Sequence, residues 1–407
     1  MAYVPPHKRP SKNNEKYSQN PPKPELPPPL FNKNLKLESL GTAAHQDMAF
    51  VYEDIFRWFA VGLHDHNHFP PSVHLQPVSV ESLNWKTVKR QALINSDLIE
   101  ESSSIVTESF ARRPWEYIAE TVLPDLVSSF EDLRGEIESQ KLVEIRPTII
   151  IRFGKVIFRG RPLVNQKSVT TTKLLSEDTL RPMRSSFYTT VPNSYVEYIT
   201  KEAGSKNGLE FEKDKEAYLV FLSDASQSGE SLFCKCRVLK EDGKLQICKI
   251  KRSYMRHMLR DISCLEKNLD MRLDLCTKRT VTALTDDDKQ SINEIIDSAI
   301  LDREVKGGLR WPLGKSSVSG DKFGVTSVWH VTSKTYKNPS LKLKIKNVDR
   351  YRFISSSGQA TREVVVMLKG VASELMKEEV DINFTSEMFK DNLKVLWNIF
   401  LCCERFP

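Results

Sequence analysis

Lysines that alternate with apolar residues carry the clearest chemical pattern of the chain. Residues 341–346 read Leu-Lys-Leu-Lys-Ile-Lys, so a strand here places apolar side chains on one face and ammonium groups on the other. Cations beside aromatic rings on a sheet can bind single-stranded RNA through phosphate contacts and base stacking. The candidate nucleic-acid-binding residues are Lys334, Tyr336, Lys337, Lys342, Lys344, Lys346, Arg350, Tyr351 and Arg352.

A second basic run lies between residues 249 and 260. It contains Lys249, Lys251, Arg252, Arg256, His257 and Arg260. Both runs have an alternative interpretation, because proteins often protect an exposed sheet edge with lysine.

Histidines at positions 64, 66 and 68, with His74 nearby, have a spacing that could suit metal ligands. On a strand the three alternate histidines would share a face, and imidazole is a common zinc ligand. However, Phe69-Pro70-Pro71 follows at once, which favours a loop. We therefore expect no metal and no cofactor.

No segment has the spacing of a known catalytic site, so we assign no catalytic residue. Gly314-Lys315-Ser316 lacks the glycine that a phosphate-binding loop needs five positions earlier, where Leu309 stands. Residues 286–288 are three aspartates, which fit the first turn of a capped helix better than a cation site. An enzyme is the less favoured class, although an unrecognised type stays open.

Composition favours an intracellular protein. The chain has 407 residues, 28% of them charged, with a formal charge of +7 and no apolar run long enough to span a bilayer. Its seven cysteines show no CxxC spacing, which is typical of reduced, buried thiols. We expect the protein in the cytoplasm, the nucleus or both.

The pattern of elements predicts an α+β fold, largely antiparallel, with helices packed on one face of the sheet. Residues 1–44 form a Pro-rich basic tail that we expect to be disordered. Residues 45–165 are predicted as a helical region, with helices over 48–59 and about 108–138, the second kinked or broken at Pro124. A hairpin or a bulged strand pair is predicted around Gly154-Lys155. Residues 183–407 are predicted as a domain containing an antiparallel meander, a two-residue turn at Asp242-Gly243 and a C-terminal helix from Thr385 or Ser386.

Several long motifs resemble an uncharacterised plant protein family. Its members begin Met-Ala-Tyr-Val-Pro-Pro-His-Lys-Arg, as residues 1–9 do here, and the resemblance continues through 184–188, 261–265, 306–315 and 401–404. It implies no known reaction, cofactor or partner.

The first residues also resemble a peptide in the disordered tails of some DEAD-box RNA helicases, where it is linked to binding the translation cap-binding factor. The residues concerned are Tyr3, Val4, Pro5, Pro6, His7 and Arg9. Lys8 stands where the helicase peptide has leucine. The resemblance implies a partner-binding peptide, with an inert solvated leader as the alternative.

Together these patterns predict a non-enzymatic protein associated with RNA or with a ribonucleoprotein or translation factor. A protein–protein adaptor without nucleic-acid contact is the first alternative. The sequence leaves the ligand, the partner and the oligomeric state open.

Overall fold

The computed structural model describes residues 56–61, 73–77, 93–96, 113–139, 145–159, 173–175, 184–206, 208–224, 231–239, 243–252, 255–265, 267–281, 284–312 and 322–401. The strands are β1 (Phe56–Val61), β2 (Val73–Pro77), β3 (Leu93–Ser96), β4 (Ile145–Arg159), β5 (Lys173–Leu175), β6 (Arg184–Tyr188), β7 (Glu210–Asp224), β8 (Ser231–Val238), β9 (Leu245–Arg252), β10 (Met255–Cys264), β11 (Asp270–Arg279), β12 (Ile300–Leu301), β13 (Leu309–Arg310), β14 (Phe323–Lys337), β15 (Leu341–Arg352) and β16 (Ser357–Leu368). The α-helices are α1 (Pro114–Ser139), α2 (Asn193–Lys206), α3 (Asp286–Asp297), α4 (Lys369–Leu375) and α5 (Ile382–Val395).

Eight strands follow a path that returns towards its start, in the order β11-β4-β16-β15-β14-β7-β8-β9. Every neighbouring pair on this path is antiparallel. Its two ends meet at a bridge between Lys251 and Thr280, where the Val281 N–H donates to the Ile250 carbonyl at 3.2 Å. We call this path the barrel. The rest of that edge of β11 is paired with β10, which in turn pairs with β1.

Helices cover the outer face of the barrel. Alternate residues such as Ile151, Leu343 and Val366 pack with α1, α2, α4 and α5 in one apolar cluster. A second cluster joins β7, β8 and β14 to the stripe Ile292, Ile295 and Ile296 of α3. Because side chains alternate along a strand, the remaining residues of each strand point to the other, interior face.

The α+β prediction is confirmed, although strands dominate. The capped helix is also confirmed, since the Thr285 hydroxyl accepts from the Asp288 N–H at 3.1 Å. The domain boundary between residues 165 and 183 stays a prediction. Strand β4, which precedes that boundary, pairs with β11 and β16, which follow it.

The predicted helix over residues 48–59 is wrong for its last four residues, and residues 48–55 lie outside the described ranges. Residues 56–61 form β1, whose last four side chains are all buried. A strand with both faces covered reads as a continuous apolar run, which mimics a helical stripe over a short window.

Two predicted interruptions are absent. Pro124 lies inside α1 without breaking it, and its side chain is exposed. Gly154 is not a turn, because β4 runs through it as one strand of 15 residues. A Cβ atom there would overlap the carbonyl oxygen of Tyr188, so the glycine permits the close approach of β6.

Two element boundaries also differ from the prediction. The loop after β8 is longer than the predicted two residues: the Leu239 N–H donates to the Lys244 carbonyl, and Cys236 pairs with Ile247. The last helix begins at Ile382, with Asp381 as its N-cap.

Candidate nucleic-acid interface

The alternation predicted for residues 341–346 is confirmed. Leu341, Leu343 and Ile345 lie in the outer apolar cluster. The interior face of β15 therefore carries Lys342, Lys344, Lys346, Arg350 and Arg352.

The other predicted site residues divide between the two faces. Lys337 faces Lys342 across the ladder and shares the interior face, whereas Lys334 faces Ile345 and points outwards. Tyr336 packs in the outer cluster, and Tyr351 faces Val328, which belongs to the second outer cluster. The prediction that these two tyrosines accompany the lysines is therefore wrong.

The interior lysines of β15 are less exposed than the sequence suggests. Lys342 Nζ lies 2.7 Å from Glu212 Oε2, and Lys346 Nζ lies 3.9 Å from Glu363 Oε2. The Lys342 hydrogen bond lowers the pKa of Glu212 to about 2. Part of the positive charge of this strand is therefore balanced by acids of the interior face.

Three further strands add lysines that the sequence analysis did not select. Thr335 and Ser333 of β14 pair with Lys213 and Lys215 of β7, which places both lysines on the interior face. On the same face, Lys235 of β8 pairs with Lys249 of β9. The odd-numbered spacing of these residues was visible in the sequence, but the strand order that joins them to β15 was not.

Like charges approach one another within this set. Burial, together with the cationic side chains of Lys235, Lys213 and Lys342, lowers the pKa of Lys215. These lysines come from β7, β8 and β15, so the positive field extends over neighbouring strands. We call Lys213, Lys215, Lys235, Lys249, Lys342, Lys344 and Lys346 the lysine surface.

A buried network of charged groups lies beside the lysine surface. Arg350, only 8% exposed, donates to Thr361 Oγ1 at 2.8 Å and to Glu363, while Asp274 contacts Arg152 at 2.9 Å and Arg256 at 3.4 Å. Burial raises the pKa of Glu363, but the cations of Arg350, Lys346 and Arg152 outweigh it and hold that pKa below its ordinary value. This network has its own counter-charges and serves the fold.

The second basic run does not form one surface. Lys249 and Lys251 lie on the interior face of β9. Arg256 contacts Asp274, and Arg260 donates to Asp125 of α1 through two nitrogens. The later part of this run therefore ties β10 to its neighbours.

Other sequence candidates have structural roles or lie outside the described ranges. Asp288 contacts Lys322 at 2.9 Å. Within the part of the chain that the structure describes, no group of three or more His, Cys, Asp or Glu side chains could hold a metal ion. Residues 64–68, 314–316 and the peptide 3–9 fall outside that part.

Comparison with known proteins identifies the family. Residues 43–400 match the domain of unknown function DUF7903, and the chain belongs to that family. No curated protein matches the sequence. In the described part of the chain, no helix is long and apolar enough to cross a membrane.

Among solved structures, the fold is weakly similar to the Pct1 RNA triphosphatase of S. pombe. Its complex with the Spt5 CTD aligns at 12% identity and a TM-score of 0.42, covering 74% of this chain and 99% of that one. Pct1 alone aligns at 11% identity and a TM-score of 0.42, covering 76% of this chain and 98% of that one. The PH1012 protein of Pyrococcus horikoshii OT3 aligns at 12% identity and a TM-score of 0.24, covering 53% of this chain and 93% of that one.

Proposed function

We propose that this protein binds single-stranded RNA through its phosphates, on the interior face of the barrel, as a non-enzymatic component of an intracellular ribonucleoprotein. The observation that carries the proposal is the lysine surface, in which four strands present ammonium groups to one concavity. The interior face mixes these cations with apolar residues such as the buried cluster of Ile150, Val365 and Cys276, whereas the face under the helices is apolar.

The charge of the lysine surface calls for an anionic ligand. Lys215, Lys235 and Lys249 make no ion pair in the described ranges, and burial, followed by the cations of Lys235, Lys213 and Lys342, lowers the pKa of Lys215. A chain of phosphates would relieve that repulsion and release counterions into solvent, which is the main source of RNA affinity at low salt.

The dimensions of the barrel favour a single strand over a duplex. Eight strands enclose a space just wide enough for side chains or one small ligand. Among the described residues, the bridge beside Lys251 joins the two ends of the path, and β10 pairs with the rest of that edge of β11. A space of this width excludes a rigid double helix, so the proposed ligand is a flexible single strand.

The direct test is the salt dependence of RNA binding by two matched variants. Lys215, Lys235 and Lys249 are replaced by glutamine in the first; the control replaces Lys334, Lys369 and Lys394, which are exposed and lie off the lysine surface. Binding of a fluorescein-labelled single-stranded RNA is followed by anisotropy over a series of KCl concentrations.

Each lost phosphate contact lowers the log–log salt slope by roughly 0.7, so the first variant should lose about 2 and the control nearly nothing. Equal slopes in the two variants would reject the lysine surface as the site. Absence of RNA binding by the parent protein at low salt would reject the function and favour the adaptor without nucleic-acid contact.

We also propose that residues 3–9 recruit a ribonucleoprotein or translation factor. The peptide offers an aromatic anchor in Tyr3, beside prolines that lower the entropic cost of ordering it. Tyr3→Ala should remove that partner from a pull-down, whereas Tyr17→Ala, in the same tail, should keep it. An identical set of partners for both variants would leave an inert leader as the account of this segment.

A further inference from the structure

Three aromatic rings form a ladder on the interior face of the barrel, at the end away from Lys342. The ring of Phe221 lies 5.4 Å from that of Phe233 and 4.6 Å from that of Trp329. The strands involved are β8, β7 and β14, which are adjacent. We call these three residues the aromatic ladder.

The aromatic ladder is separate from the apolar cores under the helices. Its sequence neighbours Val220, Leu222 and Val328 belong to the second outer cluster, and the ladder residues alternate with them. Phe221 and Trp329 are only partly buried, although bulky rings on a barrel normally fill a core. The interior therefore keeps ring surface that no other part of the described chain covers fully.

Cations border the aromatic ladder on two sides. The guanidinium of Arg350 lies 4.8 Å from the Trp329 ring centroid. On the other side, Leu219 of β7 pairs with Trp329 of β14 and with Lys235 of β8, so these three residues form one row across the strands. Two strand spacings separate Lys235 from Trp329, which is about 10 Å.

The same row holds buried polar atoms that have no hydrogen-bond partner among the described residues. They are Trp329 Nε1 and Arg350 Nε, which are donors, and Gln359 Oε1, which is an acceptor. Trp329, Arg350 and Gln359 face one another across β14, β15 and β16. Buried polar groups without partners cost free energy, so they often mark a site that a ligand completes.

We propose that the aromatic ladder is a nucleobase site, where a base of the bound strand stacks on Phe221 and Trp329 while its phosphates contact Lys235 and Lys249. This inference rests on the proposed function and adds that bases, as well as phosphates, contribute to binding. Stacking on rings accepts every base, and the partnerless polar atoms lie in the row beside these rings.

The test compares three probes that differ only in what they carry besides phosphate. They are a short single-stranded oligoadenylate, an abasic ribose-phosphate oligomer of equal length, and inorganic polyphosphate. The variants are Phe221→Leu and Trp329→Leu, with Phe211→Leu as the control, since Phe211 is 56% exposed and packs on Tyr336 outside the barrel.

The parent should bind oligoadenylate more tightly than either probe without bases. Each ladder variant should weaken oligoadenylate binding by about 5- to 150-fold, as expected for one lost base stack, and leave polyphosphate binding unchanged. The control should change neither. Equal affinity of the parent for abasic and base-bearing oligomers would overturn the nucleobase site but leave phosphate binding intact. Failure of all three probes would instead reject the proposed function.

A fluorescence measurement covers the case in which a leucine variant does not fold. Trp329→Phe keeps an aromatic ring, so it should retain affinity while losing any quenching of tryptophan emission that oligoadenylate causes. Polyphosphate should cause no such quenching in the parent. Quenching of the same size in Trp329→Phe and in the parent would contradict stacking on this ring.

Discussion

Glu363→Gln leaves Arg350 buried without its carboxylate partner. In the native chain Glu363 is 5% exposed and accepts from Arg350, and its carboxylate also lies near Lys346. Removing one member of a buried ion pair costs about 3–5 kcal/mol, because the remaining charge loses its compensation without regaining water. We therefore expect the free energy of unfolding to fall by about that amount. The exposed Glu379→Gln should change it by no more than about 0.5 kcal/mol.

The pH dependence gives the same argument a second measurement. The pKa of Glu363 is lower in the folded chain than its ordinary value of 4.5. The carboxylate therefore stabilises the fold above pH 4.5, and this contribution is lost as the pH falls through the folded pKa. In Glu363→Gln, the free energy of unfolding should therefore fall less steeply as the pH is lowered below 4.5. Urea unfolding at a series of pH values measures this dependence.

A double-mutant cycle separates the ion pair from the local packing. Replacing Arg350 and Glu363 together by leucine should cost less than the sum of the two single changes, since neither charge is then left alone. Phosphate polymers should be absent from the buffer, because an anion bound nearby would mask the effect. A loss below about 1 kcal/mol for Glu363→Gln would refute the reasoning and show that water reaches Arg350.

The remaining predictions concern three other positions. Gly154→Ala should prevent β6 from pairing with β4 and lower the melting temperature by several degrees, because a Cβ there overlaps the Tyr188 carbonyl; an unchanged melting curve would contradict this packing. Glu212→Gln should tighten RNA binding and steepen its salt dependence, because Lys342 loses its acid partner; weaker binding would count against the lysine surface. Iodoacetamide at pH 8 should modify Cys248, which is exposed, before four cysteines that are buried, since burial raises the pKa of Cys234 to about 12. Peptide mass spectrometry distinguishes these sites, and the buried set is Cys234, Cys236, Cys264 and Cys276.

Sequence reasoning located strands such as β15 because their alternation is local. Residues 341–346 show the two-residue period directly, and the structure buries Leu341, Leu343 and Ile345 while the lysines between them stay partly exposed. Residues 270–275 also alternate apolar and charged residues, but all six are buried, because the charged residues face the interior of the barrel. The same reasoning failed for residues 56–59 and at Gly154. Both lie in strands covered on two sides, where burial depends on neighbours that are distant in sequence.

The candidate site was predictable only in part. The interior position of Lys342, Lys344 and Lys346 follows from alternation within one strand. Tyr336 and Tyr351 were wrongly predicted to lie beside the lysines. They are near them in sequence, but the alternation along their strands places both tyrosines on the outer face. Trp329 has the correct parity, and it reaches Arg350 through a register that only the folded sheet fixes.

The order of strands has a consequence for synthesis on the ribosome. Strand β4 is made early, yet one of its two barrel neighbours is β16, which ends about 200 residues later. At a translation rate of roughly 5–20 residues per second, that edge of β4 waits about 10–40 s for its partner. During this interval a largely apolar strand, Ile149-Ile150-Ile151 among its residues, presents unpaired backbone groups that other chains could join. Yield of the folded protein should therefore depend on chaperones that shield nascent chains, and slower translation before β16 should increase aggregation.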